Sequence, residues 1–138
     1  MMKNHRVIRI ISIAAWVSVN IGILLLSLLP AEKMIMGSGN LNDKLAHGFA
    51  YTVLGALTYL FLSFIHATLL DKTFKKILIS IGYCALLGGL IEILQPLSGR
   101  SMELLDFVAD FVGALTGVLI MKLLVDEYHH WFKKLKDI

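Results

Sequence analysis

The sequence has little charge and a single cysteine, and both shortages restrict what the chain can be. Charged residues make up 17% of its 138 residues, whereas a soluble domain carries about a quarter. Hydrophobic residues make up 57%, and the mean hydropathy is +0.77. One small core cannot hide so many apolar side chains, so the composition predicts a protein that folds in a lipid bilayer.

Other signals are missing from the sequence altogether. Cys84 is its only cysteine, so no disulfide can form within the chain. Outside residues 126–138, no basic stripe with interleaved aromatic residues marks a nucleic-acid surface, and membrane orientation explains the net charge of +3 better. Repeats, linkers and low-complexity tracts are also lacking. We therefore expect a single domain over residues 1–138, with no nucleic-acid partner and no cofactor.

Four long apolar runs contain no Asp, Glu, Lys or Arg. They cover residues 10–29, 45–70, 77–91 and 111–121. A helix needs about 20 mostly apolar residues to cross a bilayer, and the two shorter runs reach that length once their polar ends are included. The expected fold class is an all-α bundle of four transmembrane helices, at about residues 8–29, 43–66, 76–95 and 102–124.

Lysine and arginine accumulate at both termini and in the loop between the second and third helices. Cytoplasmic loops collect these residues, so both termini are predicted to face the cytoplasm in a multi-pass protein of the cell membrane. The loops at 30–42 and 96–101 then face outward. Residues 126–138, "DEYHHWFKKLKDI", place aromatic residues and lysines at helical spacing and predict a short amphipathic tail on the inner leaflet.

Polar residues recur at helical spacing near the predicted outward ends of three helices. The stripes are Asp43, His47, Tyr51 and Gly55 in the second helix, Glu92 and Gln95 in the third, and Asp106, Asp110, Gly113 and Gly117 in the fourth. Residues three or four apart share a helix face. Because the G-x-x-x-G pair lets a neighbouring backbone approach closely, the carboxylates above it should face the bundle interior.

The rise along a helix sorts these residues into two polar layers. The layer near the outer surface is expected to contain Asp43, His47, Glu92, Gln95, Arg100 and Asp106. The deeper layer is expected to contain Asn20, Tyr51 and Asp110. An ionised carboxylate at mid-membrane costs on the order of 3 kcal/mol, so a set this expensive indicates a functional site. Arg100, Lys44, a protonated His47 or a bound cation could offset the cost.

Four segments at these positions resemble the VanZ-like family, small multi-pass bacterial membrane proteins named for a teicoplanin-resistance protein. The segments are "DKLAHGFAYTVLG" (43–55), "GGLIEILQ" (88–95), "GRS" (99–101) and "LLDFVADFVGALTG" (104–117). One departure is Asp110, which stands where family members commonly carry Asn. The resemblance implies a role in the cell envelope, connected with envelope stress or with glycopeptide antibiotic resistance.

These observations lead to a first hypothesis about function. The site is expected to take the head group of a membrane lipid or of a lipid-linked envelope precursor. Proton-exchanging, catalytic roles are assigned to Glu92, Asp106 and His47. Substrate or anion binding is assigned to Arg100, Lys44, Gln95, Asp43, Tyr51 and Asp110. No metal is predicted, because the carboxylates and the imidazole match no metal-binding motif.

A second hypothesis is not enzymatic. The polar cluster would then be a structural clasp in a membrane scaffold or a small transporter. A Glu92–Arg100 ion pair is one candidate clasp, and Glu103 is expected to be a solvated residue on another face. The sequence leaves open whether the chain is an enzyme, and what its oligomeric state is.

Overall fold

The computed structural model describes residues 2–29, 41–64 and 72–136. Its helices are α1 (Met2–Ser27), α2 (Leu41–Phe64), α3 (Thr73–Leu94) and α4 (Leu104–Lys136), with a short 3-10 helix at Gln95–Ser98 after α3. Each of the four α-helices is long and apolar enough to cross a membrane. The described residues contain no strand, so the predicted all-α bundle of four membrane helices is confirmed.

The apolar side chains that the bundle leaves uncovered fit this setting. Ile11, Leu25, Phe49 and Leu86 each expose more than 60% of their surface, although they lie within membrane helices. Such an apolar exterior is costly in water and costs nothing against acyl chains. The chain is therefore a multi-pass membrane protein.

The helix bounds differ from expectation mainly at the end of α4. The expected tail begins near residue 126, whereas α4 runs without interruption to Lys136. No Gly or Pro follows Gly117 to stop it. Val125 is buried against the core beside Tyr59 and Val118, and Lys122 pairs with Asp126 one turn further on. The tail residues therefore extend a membrane helix. Their position on the inner leaflet stays a prediction.

Helices α2 and α4 form the tightest pair in the bundle. A Cβ atom at Gly113 would overlap the carbonyl oxygen of Gly48, and one at Gly117 would overlap that of Thr52. Gly55 in turn lies against the backbone of Ala114. The predicted close approach of a neighbouring backbone to the G-x-x-x-G pair is therefore confirmed, the neighbour is α2, and this contact rotates Asp106 and Asp110 of α4 into the interior.

Helices α1 and α3 complete the core through aromatic and polar contacts. Trp16 stacks on Phe61 with ring centroids 5.2 Å apart and donates a hydrogen bond to Thr58 at 3.0 Å. Asn20 donates to the Trp16 carbonyl at 2.7 Å and accepts a hydrogen bond from the Tyr83 hydroxyl. Asn20 thus joins α1 to α3. The buried thiol of Cys84 packs in the same core.

Candidate functional site

The predicted site residues meet at one end of the bundle, where α1 and α3 end and α2 and α4 begin. We call this the polar end. Helix α2 contributes Asp43, Lys44, His47 and Tyr51; α3 and the 3-10 helix contribute Glu92 and Gln95; Arg100 lies in the connection to α4; and α4 contributes Asp106 and Asp110. All nine are buried except Lys44, which is partly exposed.

The turn after α3 determines where Arg100 lies. Gly99 adopts a left-handed conformation (φ 75°) that few other residues tolerate, and the Arg100 amide donates to the Gln95 carbonyl at 3.2 Å. The chain therefore reverses tightly. The guanidinium then reaches across the bundle, 3.1 Å from the Asp43 carboxylate and 3.3 Å from the carbonyl of Ser27.

The candidate ion pair between Glu92 and Arg100 does not form in the structure. Arg100 pairs with Asp43 instead, and both side chains are almost completely buried. Glu92 accepts a hydrogen bond from the Glu103 amide at 3.0 Å. The two residues are close along the chain, but the reversal at Gly99 directs the guanidinium towards α1 and α2.

A second cation, Lys44, joins α2 to the start of α4. Its ammonium lies 2.8 Å from the Glu103 carboxylate and 3.0 Å from that of Asp106. The expectation that Glu103 is solvated on another face is therefore wrong. Glu103 precedes the first residue of α4, so helical spacing does not apply to it. The Lys44 ammonium lowers the pKa of the Glu103 carboxyl group.

Glu103 and Ser27 are the two site residues that the sequence analysis missed. Glu103 had one usable signal, an acidic side chain immediately before the predicted fourth helix and within reach of a lysine. Ser27 had none, because it contributes a backbone carbonyl and any residue type supplies one.

His47, Glu92 and Asp110 form a second group, which we call the inner group, and none of the three contacts a lysine or arginine among the described residues. The structure thus joins His47 and Glu92, expected in the outer layer, to Asp110 of the expected deeper layer. His47 Nδ1 lies 2.9 Å from Asp110 Oδ1. Glu92 Oε1, Asp110 Oδ2 and the Tyr51 hydroxyl are buried, and no described residue hydrogen-bonds to them. Both amide atoms of Gln95 are in the same condition. Buried polar atoms normally have hydrogen-bond partners, so these atoms are free to bind a ligand, an ion or water.

The charge at the polar end is unbalanced. Among the described residues, five carboxylates face two permanent cations there: Asp43, Glu92, Glu103, Asp106 and Asp110 against Lys44 and Arg100. Unneutralised charge in a membrane interior is costly. Protons or an additional cation would lower the cost of the excess that these described residues carry.

Two triads in this cluster have ligand atoms close enough to share a metal ion. One is Asp43, His47 and Asp106; the other is His47, Glu92 and Asp110; in each the three ligand atoms lie within 4.8 Å of one another. The predicted carboxylates and imidazole thus converge in space without a recognisable sequence motif.

A cavity of about 110 Å³ opens beside the cluster, between α1 and α2. Ile23, Leu26, Ala46 and Ala50 give it apolar walls, while Asp43, His47, Tyr51 and Arg100 supply polar groups. The cavity therefore admits a small polar group and not a whole lipid.

Fold and site together define a class, a multi-pass membrane protein with a buried, carboxylate-rich cluster beside a small cavity at one end of a four-helix bundle. No protein-family model, curated protein or solved structure matches the chain. Function must therefore be argued from the site.

Proposed function

We propose that this chain is a VanZ-like protein of the cell envelope whose polar end receives the head group of a membrane lipid or lipid-linked precursor. On this proposal the site faces the outer leaflet of the cytoplasmic membrane. The protein then alters how glycopeptides such as teicoplanin act there, or how the envelope responds to stress.

The observation that carries the proposal is the mixed lining of the cavity between α1 and α2. Apolar side chains of Ile23, Leu26 and Ala46 suit the first carbons of a lipid tail, and Arg100 and His47 suit a polar head. Lipids reach a membrane protein sideways, between its helices. The small volume limits the bound part to a head group such as a phosphate.

Arg100 is the residue best suited to meet a phosphate. It lines the cavity, and its buried Nε has no partner among the described residues. Guanidinium groups bind phosphate oxygens through paired donors. Lys44 is a weaker candidate, because it is held between two carboxylates and does not line the cavity.

If the site also performs chemistry, His47 is the residue placed to exchange a proton. Of the three proposed catalytic residues, only His47 lines the cavity. Asp110 lies at hydrogen-bonding distance from its Nδ1 and orients the ring, an arrangement typical of acid–base histidines. Glu92 and Asp106 each have a carboxylate oxygen within 4.8 Å of a ring nitrogen of His47.

The test is to identify the lipids that co-purify with the protein. Ala46→Phe should block the cavity, and Leu45→Phe is its matched control, because Leu45 is exposed and lies outside the cavity lining. Mass spectrometry should find one lipid class enriched over the source membrane with the wild-type and Leu45→Phe proteins and not with Ala46→Phe. Equal, unenriched lipid profiles for all three proteins would refute head-group binding.

The structural clasp remains a second candidate function, supported by Lys44. Its ammonium bridges α2 to both Glu103 and Asp106, so it ties two helices together. Glu92→Gln separates the two functions, because it keeps the side-chain shape and removes the charge. A folded Glu92→Gln protein that no longer changes glycopeptide susceptibility excludes the clasp. A fully active Glu92→Gln protein, with an unfolded Glu92→Ala, excludes the chemical site.

A further inference from the structure

The inner group at the polar end has features that lipid binding does not explain. His47, Glu92 and Asp110 come from three different helices, and their ligand atoms lie within 4.8 Å of one another. The exposed fractions of the three residues are 8%, 2% and 1%. Three helices have thus brought an imidazole and two carboxylates to one point away from solvent.

The outer carboxylates pair with cations, and within the described ranges the two carboxylates of this group do not. Asp43 is paired with Arg100, and Asp106 is paired with Lys44. Among the described residues, Glu92 has only a backbone amide as a partner, and Asp110 has only His47. The outer triad of Asp43, His47 and Asp106 is therefore already neutralised in part, whereas the inner group has the larger uncompensated charge.

Independent polar atoms also point into the inner group. An ideal Cβ atom at Gly88 would lie 3.0 Å from Asp110 Oδ2 and 3.4 Å from the Tyr51 hydroxyl, so both atoms border the same small space. Each of them is buried and lacks a partner among the described residues. The absence of a side chain at position 88 lets both atoms lie close to the backbone of α3.

We propose that His47, Glu92 and Asp110 bind a divalent metal ion, with the Tyr51 hydroxyl beside it. Carboxylate and imidazole together suit Mn²⁺ or Zn²⁺. The charge of the ion balances the two carboxylates that no described lysine or arginine pairs with. Three protein ligands leave a coordination position open, as in catalytic metal sites. The metal site goes beyond the proposed function and does not depend on it.

The ligand atoms require only small movements to close around an ion. Metal–ligand bonds of about 2.0–2.2 Å place tetrahedral ligand atoms roughly 3.4 Å apart. His47 Nδ1 and Asp110 Oδ1 are already 2.9 Å apart. The remaining separations of up to 4.8 Å close by about 1.4 Å through side-chain rotation.

The experiment uses the untagged full chain in detergent micelles, stripped with a chelator and then titrated with Mn²⁺ alone. Electron paramagnetic resonance separates bound from free Mn²⁺, so it gives both stoichiometry and affinity. We expect one ion per chain. Glu92→Gln and Asp110→Asn should weaken binding by more than about tenfold, since even outer-shell changes cost 10- to 100-fold.

Matched controls are available at the far end of α4. Asp126→Asn and Glu127→Gln make the same two chemical changes on exposed residues, with Asp126 about 24 Å along the helix from Asp110. Both should bind Mn²⁺ as the wild type does. An absence of saturable binding, or undiminished binding by Glu92→Gln, would overturn the proposal. If Asp110→Asn does not fold, the comparison of Glu92→Gln with Glu127→Gln decides.

The result is separable from the head-group proposal. No lipid is added in the Mn²⁺ titration, and neither Ala46 nor Leu45 belongs to the inner group. If the wild-type protein enriches one lipid class but shows no saturable Mn²⁺ binding, the metal site alone is rejected. If the wild-type protein binds Mn²⁺ but enriches no lipid class, head-group binding alone is rejected.

Discussion

Breaking the Arg100–Asp43 pair should destabilise the bundle strongly, because the pair is buried. The guanidinium and the carboxylate are 3.1 Å apart, and their side chains are only 3% and 4% exposed. Removing one partner of a buried pair costs about 3–5 kcal/mol, mainly because the other charge stays buried without a partner. Arg100→Gln leaves Asp43 in that condition among the other carboxylates of the cluster. It should therefore lower the free energy of unfolding by about 3–5 kcal/mol.

The double variant identifies the cause of that loss. In an Asp43→Asn background, Arg100→Gln removes chiefly the hydrogen bond to the Ser27 carbonyl, which contributes about 1 kcal/mol. The coupling energy between positions 43 and 100 should then be about 2–4 kcal/mol. Unfolding in mixed micelles can be followed by the fluorescence of Trp16, which packs on Phe61 and Tyr83.

An exposed pair on α4 provides the control for burial. Lys122 and Asp126 are 2.9 Å apart, but their side chains are 32% and 48% exposed. Their coupling energy should stay within about 0.5 kcal/mol, as exposed helix pairs do. If the Arg100–Asp43 coupling is no larger than the Lys122–Asp126 coupling, the reasoning from burial fails.

Three further changes test the packing and charges around the site. Gly113→Ala should cost at least about 2 kcal/mol because its Cβ would meet backbone rather than a movable side chain, whereas Gly82→Ala, with open space beside it, should be neutral or stabilising. Lys44 lowers the pKa of Glu103, so the ion pair should contribute to the free energy of unfolding above pH 4.5. That contribution should disappear as the pH falls through the lowered pKa. Glu103→Gln should remove this part of the acid dependence of stability. In metal-free protein, Tyr51→Phe should leave stability unchanged or raise it, because it removes a buried hydroxyl that has no partner among the described residues.

The same unfolding assay checks all three. Equal stabilities for the two glycine variants would show that α2 and α4 do not approach as closely as described. Parallel acid profiles for wild type and Glu103→Gln would contradict the pairing with Lys44. For Tyr51→Phe the control is Tyr83→Phe, which removes a hydroxyl that donates to Asn20 and should cost about 1 kcal/mol. A comparable loss in Tyr51→Phe would mean that its hydroxyl has a partner.

The sequence alone determined the number of membrane helices and the helix faces that lie inside the bundle. Charge-free runs require burial in lipid, and the 3.6-residue period fixes which side chains share a face. The stripe of Asp106, Asp110, Gly113 and Gly117 therefore predicted both the close approach of a neighbouring helix and the buried carboxylates. These properties belong to single helices, so they can be derived before any packing is known.

Only the tertiary structure decided which charges meet and which remain without cations. Helical periodicity does not fix the rotation of one helix against another, nor the path of a connection such as the turn at Gly99. That turn sends Arg100 to Asp43, and Glu103 reaches Lys44 from outside the helix. Glu92 and Asp110 are left beside His47 without a lysine or arginine among the described residues, because packing of three helices brings them together and their spacing along the chain does not.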